Sequence, residues 1–261
     1  MGGAPARVLY PSPTFVMFKQ EALTHGLVPI EVPLAADFSP DVDAMVTAIR
    51  AQRPSLVFLA TPNNPTGTVW PDAAIDRLLA ADDEAIIVID EAYLAYGAAP
   101  SALPRVAQHE RCVVLQTLSK IGLAGLRVGY LVAQQELAAE LEKARPPYNL
   151  DVYSQAAATA VLTHAAAELE VHALRVRNER ARLIAALRAH PALEVFPSGG
   201  NFVLVRHAYA AELDRALREE GVAVRCFERG TGGPLAGCLR ITVGTPAEDD
   251  CLLAALARAL L

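Results

Sequence analysis

The sequence predicts an α/β protein: a mostly parallel sheet sandwiched by helices, followed by a smaller C-terminal α+β domain. Three observations carry this expectation. Apolar strand-length runs such as Leu56–Ala60 and Ala85–Asp90, the latter closing on a carboxylate, alternate with helical segments through the first half. Strands without an exposed polar face belong to sheets covered on both sides. A Pro-rich break at Arg145-Pro146-Pro147-Tyr148-Asn149 then divides the chain, and the pattern beyond it changes to two long helices followed by short strands. The division predicts domains at residues 1–150 and 151–261, a length that accommodates two modest cores.

In order, the elements are read as follows. Arg7–Tyr10 is a short strand. Thr14–Gly26 is a helix stopped by its glycine. Val28–Val32 is a strand and Asp41–Gln52 a helix. Leu56–Ala60 is a strand running into the turn Thr61-Pro62-Asn63-Asn64-Pro65-Thr66-Gly67. Asp72–Ala81 is a helix and Ala85–Asp90 a strand. Cys112–Gln116 and Val128–Val132 are further strands. Beyond the break, residues 152–168 and 169–190 are helical, and the Ala-rich stretch 156–168 reads as a tightly packed helix. Strands follow near Leu193–Phe196 and Asn201–Arg206. A helix at 209–220, strands near Val222–Phe227 and Cys238–Val243, and a helix from Pro246 complete an antiparallel α+β unit.

Composition narrows the function. A net charge of −6 without a basic stripe argues against a nucleic-acid binder. No apolar run is long enough to span a bilayer, and no signal peptide is evident at the N-terminus. The four cysteines show neither CxxC pairing nor disulfide-framework spacing, so reduced thiols in the cytoplasm are expected. The histidines lack metal-ligand spacing, and no metal is expected.

The chemistry gathers where strands end. Lys120, in Thr117-Leu118-Ser119-Lys120, is one of three lysines. Arginine cannot replace it as an amine nucleophile, because its guanidinium stays protonated. Asp90 closes an apolar strand, where a charged carboxylate is costly unless paired; it is otherwise a helix cap or a surface acid. Tyr93 and Asn64 offer a hydroxyl and an amide, or else a core tyrosine and an ordinary turn. Thr117, Ser119 and Arg127 suit a phosphate, or serve as caps and a structural arginine. A lysine, an acid for a pyridine nitrogen and donors for a phosphate are what pyridoxal phosphate requires. Strand-end residues of a parallel sheet converge in space. Arg240, between apolar neighbours in a strand pattern, needs an anion unless it lies on a wet edge strand. Arg225 is similar and weaker. Two such arginines suit a substrate with two anionic groups.

These motifs together resemble the fold-type I aminotransferases, most closely the histidinol-phosphate aminotransferases. The matching stretches are Tyr10–Phe15, Pro62–Gly67, Asp90–Tyr93, Thr117–Lys120, Gly125–Tyr130, Pro147–Asn149 and Leu239–Thr245, in the family's order over nearly the whole chain. The resemblance implies the large cofactor-binding domain and small domain of that fold, pyridoxal 5′-phosphate as cofactor, and a homodimer. It implies that Lys120 bonds to the cofactor and then moves the proton, and that Asp90 holds the ring nitrogen. Tyr93 and Asn64 then flank the phenolic oxygen, Phe15 stacks on the ring, and Thr117, Ser119 and Arg127 bind the phosphate. It assigns substrate to Arg240 (the glutamate carboxylate), Arg225 (the substrate phosphate) and Asn149. The implied reaction is ping-pong transamination between histidinol phosphate and 2-oxoglutarate in histidine biosynthesis.

Two departures from the family pattern stand out. Arg127 follows Lys120 by one residue fewer than in many relatives, so the loop Ile121–Ala124 is expected to be tighter. Relatives also carry roughly another third of this chain's length upstream, so the chain is expected to be N-terminally truncated, to fold poorly or to bind cofactor weakly. Three alternatives follow: a threonine-phosphate decarboxylase, an aromatic aminotransferase, or an inactive remnant. A dinucleotide binder is disfavoured, because no G-x-G-x-x-G follows the first strand.

Overall fold

The computed structural model describes residues 5–82, 84–227 and 233–260. The first half builds a six-stranded sheet from β1 (Arg7–Ser12), β2 (Val28–Pro33), β3 (Leu56–Ala60), β4 (Ile86–Asp90), β5 (Cys112–Thr117) and β6 (Gly129–Val132). Their spatial order is β2-β1-β3-β4-β5-β6. The first five are mutually parallel, and only β6 runs antiparallel, against β5. The mostly parallel sheet expected from the apolar runs is therefore present.

Alternation along the strands loads both faces. Leu9, Val57, Leu59, Ile87, Ile89 and Val114 join one core cluster with Met45 and Ile49 of α2 (Val42–Gln52) and Ile75 and Leu78 of α3 (Asp72–Leu79). Val8 and Tyr10 point the other way, onto Phe18 and Ala22 of α1 (Met17–Thr24). The side chain of Asp41 caps α2, accepting from Ala44 N–H at 2.9 Å. Two short segments escaped the sequence reading: the single turn α4 (Leu103–Val106) and α5 (Gln135–Ala144), which buries no side chain.

Beyond the break come α6 (Val152–His164) and α7 (Ala166–Arg188). One expectation fails here. The Ala-rich helix is not tightly packed: only Ala158 of α6 is buried, while Val152 and Tyr153 are 70% and 83% exposed. Its apolar residues are spread around the axis and present no single stripe to a core.

A second, wholly antiparallel sheet follows, of β7 (Glu194–Val195), β8 (Phe202–Arg206), β9 (Arg225–Cys226) and β10 (Cys238–Thr242), in the order β7-β8-β10-β9. It packs Val203, Val205, Leu239 and Ile241 against α7, α8 (Ala210–Glu219) and α9 (Pro246–Ala259). The two halves meet at the turn after β3. Gly67 has φ +77°, and a Cβ there would lie 2.5 Å from Ser198 Oγ, so glycine alone lets the turns touch. Gly199 N–H donates to Gly67 O at 2.8 Å. Arg180 of α7 donates to Tyr96 O at 2.7 Å and Gly200 O at 2.6 Å, tying α7 to the turn after β4 and to the turn that holds Ser198.

The start of α9 holds an acid pair. A reciprocal Thr245–Glu248 capping box opens the helix. Asp249 is 2% exposed and accepts from Gly244 N–H at 3.0 Å, and its Oδ2 finds no partner among the described residues unless it carries a proton. Burial, reinforced by neighbouring Glu179, pushes the Asp249 carboxyl up to about 6. Glu179 is held charged by Arg182, so the shared proton belongs on Asp249. The folded state therefore binds this proton more tightly than the unfolded chain. That contribution is complete below about pH 4 and is lost as pH rises through about 6. Asp249→Asn is expected to raise Tm at pH 7 by a few degrees, about 1–2 kcal/mol after allowance for screening. The gain should shrink toward pH 4, and an equal Tm difference at both pH values would refute the shared proton.

Candidate active site

The strand order reverses direction between β1 and β3: β1 is followed by a neighbour on one side, and β3 begins the run on the other. Connections leaving such a switch point diverge and open a crevice at the carboxyl ends of the strands. Four exits contribute to one pocket there, with a cavity of about 60 Å³. Phe15 comes from the β1 exit, Ala60, Pro62 and Asn64 from β3, Asp90, Ala92 and Tyr93 from β4, and Lys120 from β5. Five residues expected from sequence thus share one lining: Phe15, Asn64, Asp90, Tyr93 and Lys120. A larger cleft of about 690 Å³, between the turns at Asp37–Pro40 and Phe196–Gly199, contains none of the sequence-derived candidates.

Asp90 ends β4 and sinks into the sheet edge. Burial pushes its carboxyl up; the Ala92 N–H, donating to Oδ1 at 2.9 Å, and the Lys120 charge pull in the opposite direction. A carboxylate so placed gains from a cation held opposite it. The Lys120 ammonium is 5.5 Å from the Tyr93 ring centroid. Its backbone carbonyl accepts from the Tyr96 hydroxyl, which anchors the lysine's segment to the turn after β4. The loop after Lys120 folds back on the residues before it. Ile121 and Leu123 N–H both donate to the carbonyl of buried Leu118, at 3.3 and 3.2 Å.

From the second sheet, Arg240 reaches across to Asn64, Nη1 donating to Oδ1 at 2.5 Å. Its guanidinium lies 5.2 Å from the Phe202 ring centroid, and Phe202 packs edge-on against Tyr93 at 5.1 Å. Strand β10 is interior, between β8 and β9, so the wet edge-strand alternative for Arg240 does not hold. Burial lowers its pKa, and Arg225, its cross-strand partner, adds to the lowering. Its Nε is buried without a hydrogen-bond partner among the described residues. A half-buried guanidinium with an available donor is suited to a carboxylate.

The remaining candidates lie outside the pocket lining. Thr117 Oγ1 donates to Val128 O at 3.2 Å and accepts from Ser119 N–H at 3.1 Å, which holds the two hydroxyl residues side by side. Arg127 is exposed, with φ 54°, a left-handed backbone that a non-glycine residue adopts at some cost. Arg225 is exposed above the Phe227 ring, 5.7 Å from its centroid. Asn149 is exposed and bound by Arg145 at 2.7 Å. Residues that sequence reasoning passed over include Tyr96, Arg180, Gln116 and the buried Glu91. Glu91 carried a signal, since a second acid directly after Asp90 must occupy a different environment from the first.

The residues fit a pyridoxal group by their chemistry. An amine, a half-buried carboxylate that gains from a cation, and an amide and a hydroxyl beside them surround one aromatic-walled pocket.

Comparison with known proteins agrees. The model of the aminotransferase class I and II family matches residues 3–256. Histidinol-phosphate aminotransferase 1 of Burkholderia lata is 48% identical over 255 residues, 98% of this chain and 71% of that protein. Among solved structures, the histidinol-phosphate aminotransferase from Sinorhizobium meliloti, in complex with pyridoxal-5′-phosphate, superposes with TM-score 0.88 at 28% identity, covering 100% of this chain and 72% of that one. A decarboxylase from Sulfurospirillum multivorans superposes with TM-score 0.89 at 25% identity, over 98% of this chain and 76% of that one. Strand-end pocket, lysine, paired acid and family match agree, and the chain belongs to the aminotransferase class I and II family.

Proposed function

We propose that this chain catalyses pyridoxal-phosphate-dependent transamination between histidinol phosphate and 2-oxoglutarate, giving imidazole-acetol phosphate and glutamate. The observation that carries this reading is the convergence of Lys120, Asp90, Tyr93 and Asn64 on one pocket, with Arg240 reaching it from the second sheet. The relatives named above supply the substrate.

Pyridoxal phosphate, when bound, supplies an electron sink for the charge left on the amine-bearing carbon as its proton departs. Lys120 Nζ is the amine that would hold the cofactor, and it would serve as the base and acid that takes up and returns the substrate proton. The Asp90 carboxylate would face the ring nitrogen. Tyr93 and Asn64 would donate to the phenolic oxygen, and Phe15 would cover the ring. Thr117, Ser119 and Arg127 would hold the phosphate. Arg240 takes the α-carboxylate of glutamate, with Arg225 and Asn149 on the substrate side.

Residues 1–150 then form the cofactor domain and 151–261 the small domain. The reading includes a homodimer, supported by the apolar surface left open at Val152, Tyr153, Leu162, Val171 and Leu174 of α6 and α7. Among the described residues no helix is long and apolar enough to cross a membrane, and the proposed setting is the cytoplasm.

The test is glutamate formation from histidinol phosphate and 2-oxoglutarate by the purified chain. Carbon dioxide release from a phosphorylated amino acid, without glutamate, would replace this reading by the decarboxylase one. Asp90→Asn is expected to lower kcat by roughly 10²–10³-fold with little change in KM, because the charge it offers matters most as charge develops on the ring. Unchanged kcat would remove Asp90 from its role.

A further inference from the structure

Strand β4 ends on Asp90, and a second acid, Glu91, follows directly in different surroundings. Asp90 lines the pocket, whereas Glu91 is 3% exposed and lies outside the lining. Glu91 Oε2 accepts from Ser101 Oγ and from Gln116 Nε2, each at 2.7 Å, and Oε1 accepts from Ala102 N–H at 2.5 Å. All three donors are neutral. The nearby base, Arg105 of α4, is committed to Asp72 and Asp76. Gln116 Oε1 in turn accepts from the Tyr130 hydroxyl at 2.5 Å, so the network crosses β4, β5 and β6. Neutral hydrogen bonds can keep a buried carboxylate ionised without cancelling its field.

Building on the cofactor reading above, we propose that Glu91 is a positioning residue for a protonated pyridine ring: a second negative charge behind Asp90, held by neutral donors, that strengthens the pocket's preference for a cation. The titratable groups around it respond in the same sense. Burial is the main reason Asp90, Cys112 and Tyr130 hold their protons more tightly than usual, and the Glu91 charge adds to it at each. Lys120 on the pocket side opposes it at Asp90, and Arg105 opposes it at Cys112.

Glu91→Gln removes the charge and leaves the network repairable. The introduced amide oxygen keeps the Ala102 N–H, and its NH₂ donates to Gln116, whose own amide turns over to donate to Tyr130. The measurement is the equilibrium dissociation constant of the chain for pyridoxal phosphate and for its 1-deaza analogue, in which C–H replaces the ring nitrogen. Glu91→Gln should weaken pyridoxal phosphate about tenfold, one unit of proton affinity, and leave the analogue unchanged. Ser101→Ala, which keeps the charge and loses one donor, should preserve the wild-type ratio of the two constants. Equal weakening of both ligands by Glu91→Gln would show a merely structural role, and no change in either would show none; both overturn the inference. Failure of the wild-type chain to bind pyridoxal phosphate through Lys120 would instead overturn the cofactor reading and this inference with it.

Discussion

Lys120→Ala is expected to abolish the visible absorbance of bound pyridoxal phosphate and to lower turnover by roughly 10³-fold or more. The size follows from the two duties assigned to one amine: it bonds the cofactor, and it moves the proton that the exchange requires. Loss of a positioned proton carrier alone costs roughly 10²–10⁴-fold. Lys120→Arg should fail equally, since a guanidinium holds its proton far above neutral pH. The chain provides its own controls. Lys19 pairs with Glu31 at 2.7 Å and Lys143 pairs with Glu140 at 2.5 Å; neither lines the pocket. Replacing either by alanine should leave band and rate intact. A band that survived Lys120→Ala, or vanished in Lys143→Ala, would place the reactive amine elsewhere.

How much of this was legible before the structure depended on what each residue packs against. Leu56–Ala60 is a strand over the range its apolar run predicts, because a parallel strand buried on both faces shows itself in composition alone. Helix α5 escaped despite an amphipathic pattern, Leu137 and Leu141 standing one turn apart: it is short, and in the fold its stripe buries no side chain. The strands expected near Leu193–Phe196 and Val222–Phe227 shrink to two residues each. Their length is set by how far the β8 and β10 ladders extend, which is a property of the partners. The same logic divides the site. Asn64, Asp90 and Lys120 were readable because topology sends the carboxyl ends of parallel strands to one place. The Arg240–Asn64 contact joins residues 176 positions apart, and nothing local announces it. Glu91 stood beside Asp90 in plain view. Its meaning depended on Ser101, Ala102 and Gln116, which only the fold brings to it.

Arg240→Met should split the two halves of the reaction. Glutamate carries an α-carboxylate and histidinol phosphate carries none, so an arginine that serves the carboxylate acts in only one half. The guanidinium is half-buried, lies over Phe202 and is bonded to Asn64, and its buried Nε has no partner among the described residues. Removing one partner of a charge-assisted pair in such surroundings costs about 3–5 kcal/mol, or roughly 10²–10⁴-fold in kcat/KM for the glutamate half-reaction. Methionine retains much of the apolar stem against Phe202, which limits the structural damage. Stopped-flow measurement of each half-reaction separately should show the glutamate step collapsing while the histidinol-phosphate step falls by less than about tenfold. Arg225→Met should do the reverse if the exposed guanidinium above Phe227 serves the substrate phosphate. Equal losses in both halves for Arg240→Met would mean that its bond to Asn64, and through it the phenolic side of the cofactor pocket, matters more than the carboxylate. That outcome would move Arg240 from substrate recognition to support of the cofactor site.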